Sequence, residues 1–246
     1  VKHGNYSFAE APAPDLPVFP ACRNLGGMDS VDWKSVTVYM LDFEGSPTSG
    51  VVEYGVVGLS GGRIRETGTA LCQPVGRIGS RDREVHGISE NQATRYPPFS
   101  SLYEQFVAYR REGVLAAHNR HAENTFLKDP WPLPPAVPDW RGKSASAQEW
   151  GPWVDTLSIY RALYPGLESY GLGELVTLFR CGERIASLAA RYCPEGRRKA
   201  HCALYDALAS AVLLLRLEET EDLRDRITIG WLLQLSQGLE SQQELF

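Results

Sequence analysis

The sequence lacks the long apolar runs and the cysteine pairs that mark membrane-spanning, secreted or zinc-binding proteins. No stretch of about 18 consecutive apolar residues is present, so the sequence does not predict a transmembrane helix. The first residues contain no apolar signal-peptide core, and we therefore expect a cytoplasmic protein. The five cysteines are odd in number and form no CxxC pair, which argues against a disulfide framework or a zinc site.

An excess of positive charge is also missing. The 246 residues include 25 Lys and Arg against 30 Asp and Glu, a net charge of -5. This balance argues against non-specific electrostatic binding to polyanions. If the ligand is a nucleic acid, metal ions or local basic patches must contact its phosphates. The length allows one domain with additions.

The most informative stretch runs from Val36 to Glu44. Its β-branched, aromatic and apolar residues predict a strand buried on both faces, and Gly45-Ser-Pro47 predicts the turn that ends it. Asp42 and Glu44 are two positions apart, so both carboxylates leave the same face of the strand. Like charges at a buried edge repel and lose hydration, and a divalent cation would offset that cost. Alone, the pattern also fits a solvated strand end with two incidental acids.

The remaining segments predict an α/β fold in which strands come first and strands then alternate with helices. The Ala, Pro and Gly content of residues 1–35 indicates an irregular arm. Gly61-Gly62 predicts a hairpin, and the order predicts a mixed five-stranded sheet, with three antiparallel strands and then parallel additions, flanked by helices. Further strands are predicted at Val51–Ser60, Arg63–Gln73, Val114–His118 and Trp153–Asp155. Helices are predicted at Phe99–Arg111, Asn119–Lys128, Thr156–Leu163 with Thr156 as cap, Leu172–Arg180, Glu183–Tyr192, Ala203–Leu217 and Glu221–Leu235.

Two further acids belong beside the central strand. Glu123 lies one turn into the helix that follows the strand Val114–His118. Asp206 lies near the start of a helix whose alanines are small enough to let it pack close to the sheet. That close packing would direct Asp206 toward the end of the central strand.

In their order and approximate spacing, these segments resemble the DEDDh-type 3′–5′ exonucleases. That family has the ribonuclease H-like fold and includes proofreading subunits and ribonuclease T. The resemblance covers about residues 36–216, and it implies an exonuclease domain at 36–219 followed by a C-terminal helix and tail at 220–246. It rests on five segments, each weak alone: Asp42-Phe-Glu44, His86-Gly-Ile88, Ala117-His-Asn through Phe-Leu127, Trp153-Val-Asp-Thr-Leu157 and His201-x-Ala-x-x-Asp206.

The resemblance implies a metal-dependent enzyme that hydrolyses phosphodiester bonds at the 3′ end of single-stranded nucleic acid, with DNA favoured, and releases nucleoside monophosphates. Mg²⁺ and Mn²⁺ prefer oxygen ligands, and four carboxylates can hold two such ions. By analogy, Asp42 bridges both ions, while Glu44 and Asp206 bind the ion that activates water. Glu123 serves the other ion through water. His201 is the general base, and an unperturbed pKa near 6.5 suits that role.

Three positions depart from the family's pattern. Glu123 stands where the family usually has Asp, and Ala122 replaces an aromatic residue. The extra methylene moves the carboxylate, but the smaller Ala122 lets the helix shift to accommodate it. The alternative is a weakened second metal site, and thus a nuclease-fold module that binds nucleic acid or a clamp. Gly45 stands where the family often has Thr, which leaves specificity at the 3′ end open.

Several residues are candidates for contact with the substrate. Phe43 could stack on a base, although strand alternation favours a core position for it. Gly45 offers a free backbone N–H group. The loop 129–152, with its three tryptophans, is either a guide for the strand or an ordered plug, and the plug is favoured. The remaining candidates flank the second and last motifs and are His118, Asn119, Arg120, Arg197 and Arg198. The two arginines before His201 suit phosphate contact, with a solvated loop as the alternative.

The C-terminus resembles a pentapeptide that binds the bacterial sliding clamp. Gln242 is its first residue, and Leu245 and Phe246 end it. Such a tail inserts apolar residues into a pocket of the clamp and provides processivity by tethering; the alternative is a frayed helix end. DNA repair and RNA 3′-end trimming both stay open, because the motifs do not specify contacts to the 2′-OH.

Overall fold

A five-stranded sheet forms the centre of the computed structural model, which describes residues 31–138, 146–224 and 226–237. The strand order is β3-β2-β1-β4-β7. The first three strands are antiparallel, while β4 and β7 run parallel to β1. This arrangement confirms the predicted ribonuclease H-like α/β fold. The strands are β1 (Thr37–Ser46), β2 (Gly50–Ser60), β3 (Arg63–Leu71), β4 (Gly113–Ala117) and β7 (Trp153–Asp155), with β5 (Val137–Pro138) and β6 (Ser146–Ala147) as a separate pair.

Helices cover both faces of the sheet. They are α1 (Ser80–His86), α2 (Glu90–Ala93), α3 (Tyr103–Glu112), α4 (Arg120–Lys128), α5 (Thr156–Leu163), α6 (Leu172–Leu178), α7 (Gly182–Tyr192), α8 (Ala203–Arg216) and α9 (Ile229–Ser236). Short 3₁₀ turns occur at Trp33–Ser35, Phe99–Leu102 and Leu217–Glu219. Within the described ranges, none of these helices combines the length and apolar character needed to cross a membrane.

The helix predicted from residue 221 starts late, at Ile229. Thr228 instead pairs with Asp32 in an isolated antiparallel bridge, and its side chain accepts a hydrogen bond from the N–H of Trp231. The adjacent Trp33 is buried, and its indole N–H donates to Glu218 Oε1 at 2.6 Å. Residues 31–35, the last part of the predicted arm, therefore pack against the domain.

Alternation along β1 separates the core from the carboxylates. Tyr39, Leu41 and Phe43 belong to one apolar cluster, on the side of α3. Val38 and Met40 belong to the other cluster, which includes the buried face of α8. Asp42 and Glu44 continue the second face, so β1 presents both acids on the side of α8.

The start of α8 lies directly against β2 at Gly55. A Cβ atom at this glycine would overlap the backbone of Ala203 and Leu204, so no larger residue fits without movement of the helix. The small buried residues Ala207 and Ala211 continue the contact along α8. This close approach is what brings the first turn of α8 to the end of β1.

The loop 129–152 packs as an ordered plug in its described parts. Arg110 is 3% exposed and donates to the backbone carbonyls of Pro135, Glu149, Trp150 and Gly151. Trp150 is buried, and its indole N–H donates to the carbonyl of Trp131 at 2.7 Å. These contacts favour the plug over a mobile guide. Trp140 lies outside the described residues.

We expect Gly55→Ala to lower the free energy of unfolding by about 1–3 kcal/mol, because the added methyl overpacks a rigid backbone contact. The matched control is Gly173→Ala in α6, where a Cβ meets nothing within 4 Å. That variant should be neutral or stabilised, since Ala is the better helix former. Urea unfolding of both variants measures the difference, and equal effects would contradict the close approach.

Candidate active site

Asp42 and Glu44 occupy the end of β1 beside a β-bulge. The register shifts between Glu44 and Gly45, and Gly45 has φ +152°. A Cβ at Gly45 would overlap the carbonyl oxygen of Gly50. The backbone geometry therefore requires glycine here, which gives a physical reason for its presence in place of the family's Thr.

The loop before α8 brings His201 and Asp206 to the same place. Side-chain ligand atoms of Glu44, His201 and Asp206 all lie within 4.8 Å of one another. The backbone N–H of His201 donates to Asp206 Oδ2 at 2.8 Å. His201 is exposed and has φ 60°, a left-handed conformation that costs a non-glycine residue roughly 1–3 kcal/mol.

Glu123 reaches the site from the first turn of α4. It is 5% exposed, and its Oε2 atom has no hydrogen-bond partner among the described residues. Asp155, at the end of β7, accepts hydrogen bonds from the N–H groups of Asn119 and Leu157, at 2.9 Å and 3.1 Å. Asp155 is thus the cap of α5, and the predicted cap Thr156 is wrong. The same carboxylate fixes the start of α4 and so the position of Glu123.

The electrostatics of the four acids reflect their burial and their proximity to one another. Burial raises the pKa of Asp42 well above its ordinary value, and the neighbouring carboxylates of Glu123, Asp206, Glu44 and Glu53 raise it further. Burial, followed by repulsion from Asp206 and Glu53, raises the pKa of Glu44 to about 8. Burial also raises the pKa of Glu123 to about 8 and that of Asp206 to about 6.

This donor set fits hard divalent cations. Four carboxylates from three elements converge, and one buried oxygen of Glu123 has no donor in the part of the chain that the structure describes. Oxygen ligands of this kind are those that Mg²⁺ and Mn²⁺ prefer, and a bound cation would replace the protons that the raised pKa values favour.

Two of the predicted substrate contacts have protein partners in the fold. Phe43 is 6% exposed and packs edge-on against Phe99, at 5.2 Å between ring centroids, as alternation predicts. The ring nitrogens of His118 lie 2.9 Å from Thr156 Oγ1 and 3.0 Å from the carbonyl oxygen of Tyr170. Burial lowers the pKa of His118, consistent with a neutral ring held in place.

Asn119 and Arg120 remain open to a ligand. The Asn119 side chain is exposed and makes no capping hydrogen bond. Arg120 lines a cavity of about 510 Å³ between α4, the segment 148–153 and α9. Its Nε atom is buried and has no hydrogen-bond partner among the described residues. Contact of Arg120 with a backbone phosphate stays a prediction.

Both arginines before His201 contact other residues of the fold. Arg198 Nε donates to the carbonyl of Cys193 at 3.2 Å. Arg197 forms an ion pair with Glu53, a buried acid in β2 that is the direct cross-strand neighbour of Glu44. Glu53 is not among the site residues predicted from the sequence. Its one signal was an acid inside the otherwise apolar run Val51–Val57.

The model of an exonuclease family, ribonuclease T, matches residues 43–214. The chain belongs to this exonuclease family. It is of the DEDDh type, within the ribonuclease H-like superfamily. Exonucleases of the DEDDh type use divalent metals.

Among curated proteins, the exonuclease resembles a PolC-type DNA polymerase III from Thermotoga maritima. The two are 26% identical over 209 residues, which is 82% of this chain and 13% of the polymerase. This chain therefore matches only a small part of that relative's length.

Cys72, Cys181, Cys193 and Cys202 of the exonuclease are buried free thiols.

Two solved structures share the fold. Exonuclease X in complex with 5′ overhanging duplex DNA has a TM-score of 0.56 at 21% identity, covering 81% of this chain and 99% of the other. A 3′-exonuclease that recognises a histone mRNA stem-loop has a TM-score of 0.53 at 14% identity, covering 78% of this chain and 84% of the other.

The C-terminal residues Gln242, Leu245 and Phe246 lie outside the described residues, so clamp binding stays a prediction.

Glu44→Gln tests the charge crowding in the metal-free exonuclease. The pKa of Glu44 rises from an ordinary 4.5 to about 8 on folding. Between these two pH values the folded state therefore holds a proton that the unfolded state has released. Stability is therefore lost as the pH rises through this range. We expect the variant to melt a few degrees higher than wild type at pH 8 and equally at pH 5.

The control is Glu104→Gln, at an exposed position of α3, which should not change this difference. Adding Mn²⁺ at pH 8 should stabilise wild type more than the Glu44→Gln variant, because the cation has lost a ligand. Thermal melting in EDTA and in Mn²⁺ measures both effects. An equal shift at pH 5 and pH 8 would argue against the crowding.

Proposed function

We propose that this exonuclease hydrolyses phosphodiester bonds from the 3′ end of single-stranded nucleic acid, with DNA favoured, and releases nucleoside monophosphates. The observation that carries the proposal is the convergence of Asp42, Glu44, Glu123 and Asp206 with His201 beside them. A two-metal site needs such a set, and an exposed histidine at its edge can exchange protons with water.

Each residue has a role in this proposal. Asp42 would hold both of two Mg²⁺ or Mn²⁺ ions, Glu44 and Asp206 would hold one of them, and Glu123 would serve the other through water. When bound, such ions would supply charge stabilisation for the attacking and leaving oxygens. His201 accepts the proton from the attacking water, and its exposed ring can release that proton to solvent.

The relatives bear on the choice between DNA and RNA as substrate. A solved 3′-exonuclease with this fold recognises an RNA stem-loop, which supports RNA 3′-end trimming as a second candidate. The PolC-type relative and the DNA complex of exonuclease X support a DNA substrate and a role in repair or proofreading. A location in the cytoplasm and a link to the sliding clamp belong to the same DNA-based proposal.

The test uses 5′-labelled and 3′-labelled single-stranded DNA and RNA with Mg²⁺, Mn²⁺ or EDTA. The proposal expects a ladder of shortened 5′-labelled strands and early release of mononucleotide from the 3′ label, both abolished by EDTA. We expect His201→Ala to lower turnover by about 10²–10⁴-fold while metal and DNA binding persist. Binding without cleavage by wild type would favour the non-catalytic module, and unchanged turnover in the variant would remove the role of His201.

Glu123→Asp separates a site adapted to Glu from a weakened one. Glu123 is buried and its carboxylate is close enough to Glu44 to be affected by its charge, so the longer side chain matches this helix position. Shortening it withdraws the ligand, and we expect Mn²⁺ affinity to fall about 10–100-fold, with lower turnover. Isothermal titration and initial rates measure these effects. Higher turnover in the Asp variant would instead indicate that Glu123 impairs the native site.

A further inference from the structure

Glu53 is a charged residue in the middle of the sheet. It lies in β2 and is 3% exposed. A buried carboxylate is costly unless it is paired and hydrogen-bonded. Its Oε1 atom accepts from Arg197 Nε at 2.9 Å, while Oε2 accepts from Arg197 Nη2 and from the backbone N–H of Ala203 at 2.9 Å. The acid is therefore satisfied entirely by the segment that precedes and begins α8.

Arg197 joins this segment to a third element. Its Nη1 atom donates to the carbonyl oxygen of His86, at the end of α1, at 2.6 Å. The guanidinium thus binds β2 through Glu53 and α1 through the backbone. A planar, bidentate pair of this kind fixes direction as well as distance.

His201 lies between the two points at which Glu53 holds the chain. Arg197 precedes it by four residues, and Ala203 follows it by two. His201 itself is exposed and has a left-handed backbone, which persists only when the surroundings enforce it. Hydrogen bonds enforce it here. Glu53 accepts them from Arg197 and Ala203, on either side of His201, and the N–H of His201 donates to Asp206.

We propose that Glu53 and Arg197 are positioning residues that hold the loop 193–202 so that His201 faces the metal site. The proposal rests on the proposed exonuclease function. It also changes the interpretation of Arg197, which the sequence predicts as a phosphate contact. A phosphate contact acts on KM, whereas a positioning pair acts on kcat, so kinetics distinguish the two roles.

The main variant is the double substitution Glu53→Gln, Arg197→Gln, which removes the ion pair without changing the net charge. We expect kcat to fall about 100-fold, because displacement of a reacting group by about 1 Å has an effect of that size. KM and Mn²⁺ affinity should change little. The matched control is Arg184→Gln, Glu219→Gln, which removes an exposed ion pair between α7 and the turn after α8 and should leave kcat unchanged.

A cycle with His201→Ala separates positioning from general destabilisation. If the pair acts through His201, the double substitution should cost little further activity in the His201→Ala background. Equal losses in both backgrounds would overturn the proposal, as would a raised KM with unchanged kcat. Arg197→Lys, which keeps the charge but loses the bidentate geometry, decides the matter on the same kcat and KM criteria if the double variant does not fold.

Different results would refute the exonuclease function and the positioning role of Glu53 and Arg197. Wild type without cleavage of any labelled strand would refute the proposed function. Wild-type cleavage together with normal kcat in the double variant would leave the function intact and refute the positioning role alone.

Discussion

Repulsion among carboxylates is the constraint on which this structure depends. Asp42, Glu44, Glu123 and Asp206 meet at one end of the sheet, with Glu53 next to them. Two unit charges 4 Å apart repel by about 4 kcal/mol at an effective dielectric constant of 20. Several such pairs are comparable with the entire stability of a domain, about 5–15 kcal/mol. The acids can all be ionised only if cations lie among them.

The fold provides for that charge in two ways. Glu53, a buried acid of β2, is neutralised within the chain by Arg197 and by a backbone N–H group. The other four keep raised pKa values because burial and mutual repulsion dominate. The guanidinium of Arg197 therefore neutralises Glu53, and the other four acids remain available to divalent ions. Large apolar clusters on both faces of the sheet supply the burial that opposes the remaining repulsion.

Local pattern was enough to predict the parts of the site that depend on periodicity. Alternation places Asp42 and Glu44 on one face, Gly61-Gly62 joins β2 and β3, and small residues allow α8 to approach the sheet. Pairing between distant segments was not predictable in this way. Glu53 and Arg197 are 144 residues apart, and Asp32 pairs with Thr228 across nearly the whole chain. Single-sequence periodicity carries no information about such partners.

The backbone of His201 bears on the choice between an enzyme and a binding module. A left-handed conformation is unfavourable for a non-glycine residue and persists where its surroundings enforce it. His201 keeps this conformation between two hydrogen bonds. Its own N–H donates to Asp206, and the N–H of Ala203 donates to Glu53. The conformation directs an imidazole toward two carboxylates that a metal ion would bind. This placement of the imidazole suits a residue that faces the water attacking the phosphate, whereas a module that only binds has no need of a proton acceptor beside these carboxylates.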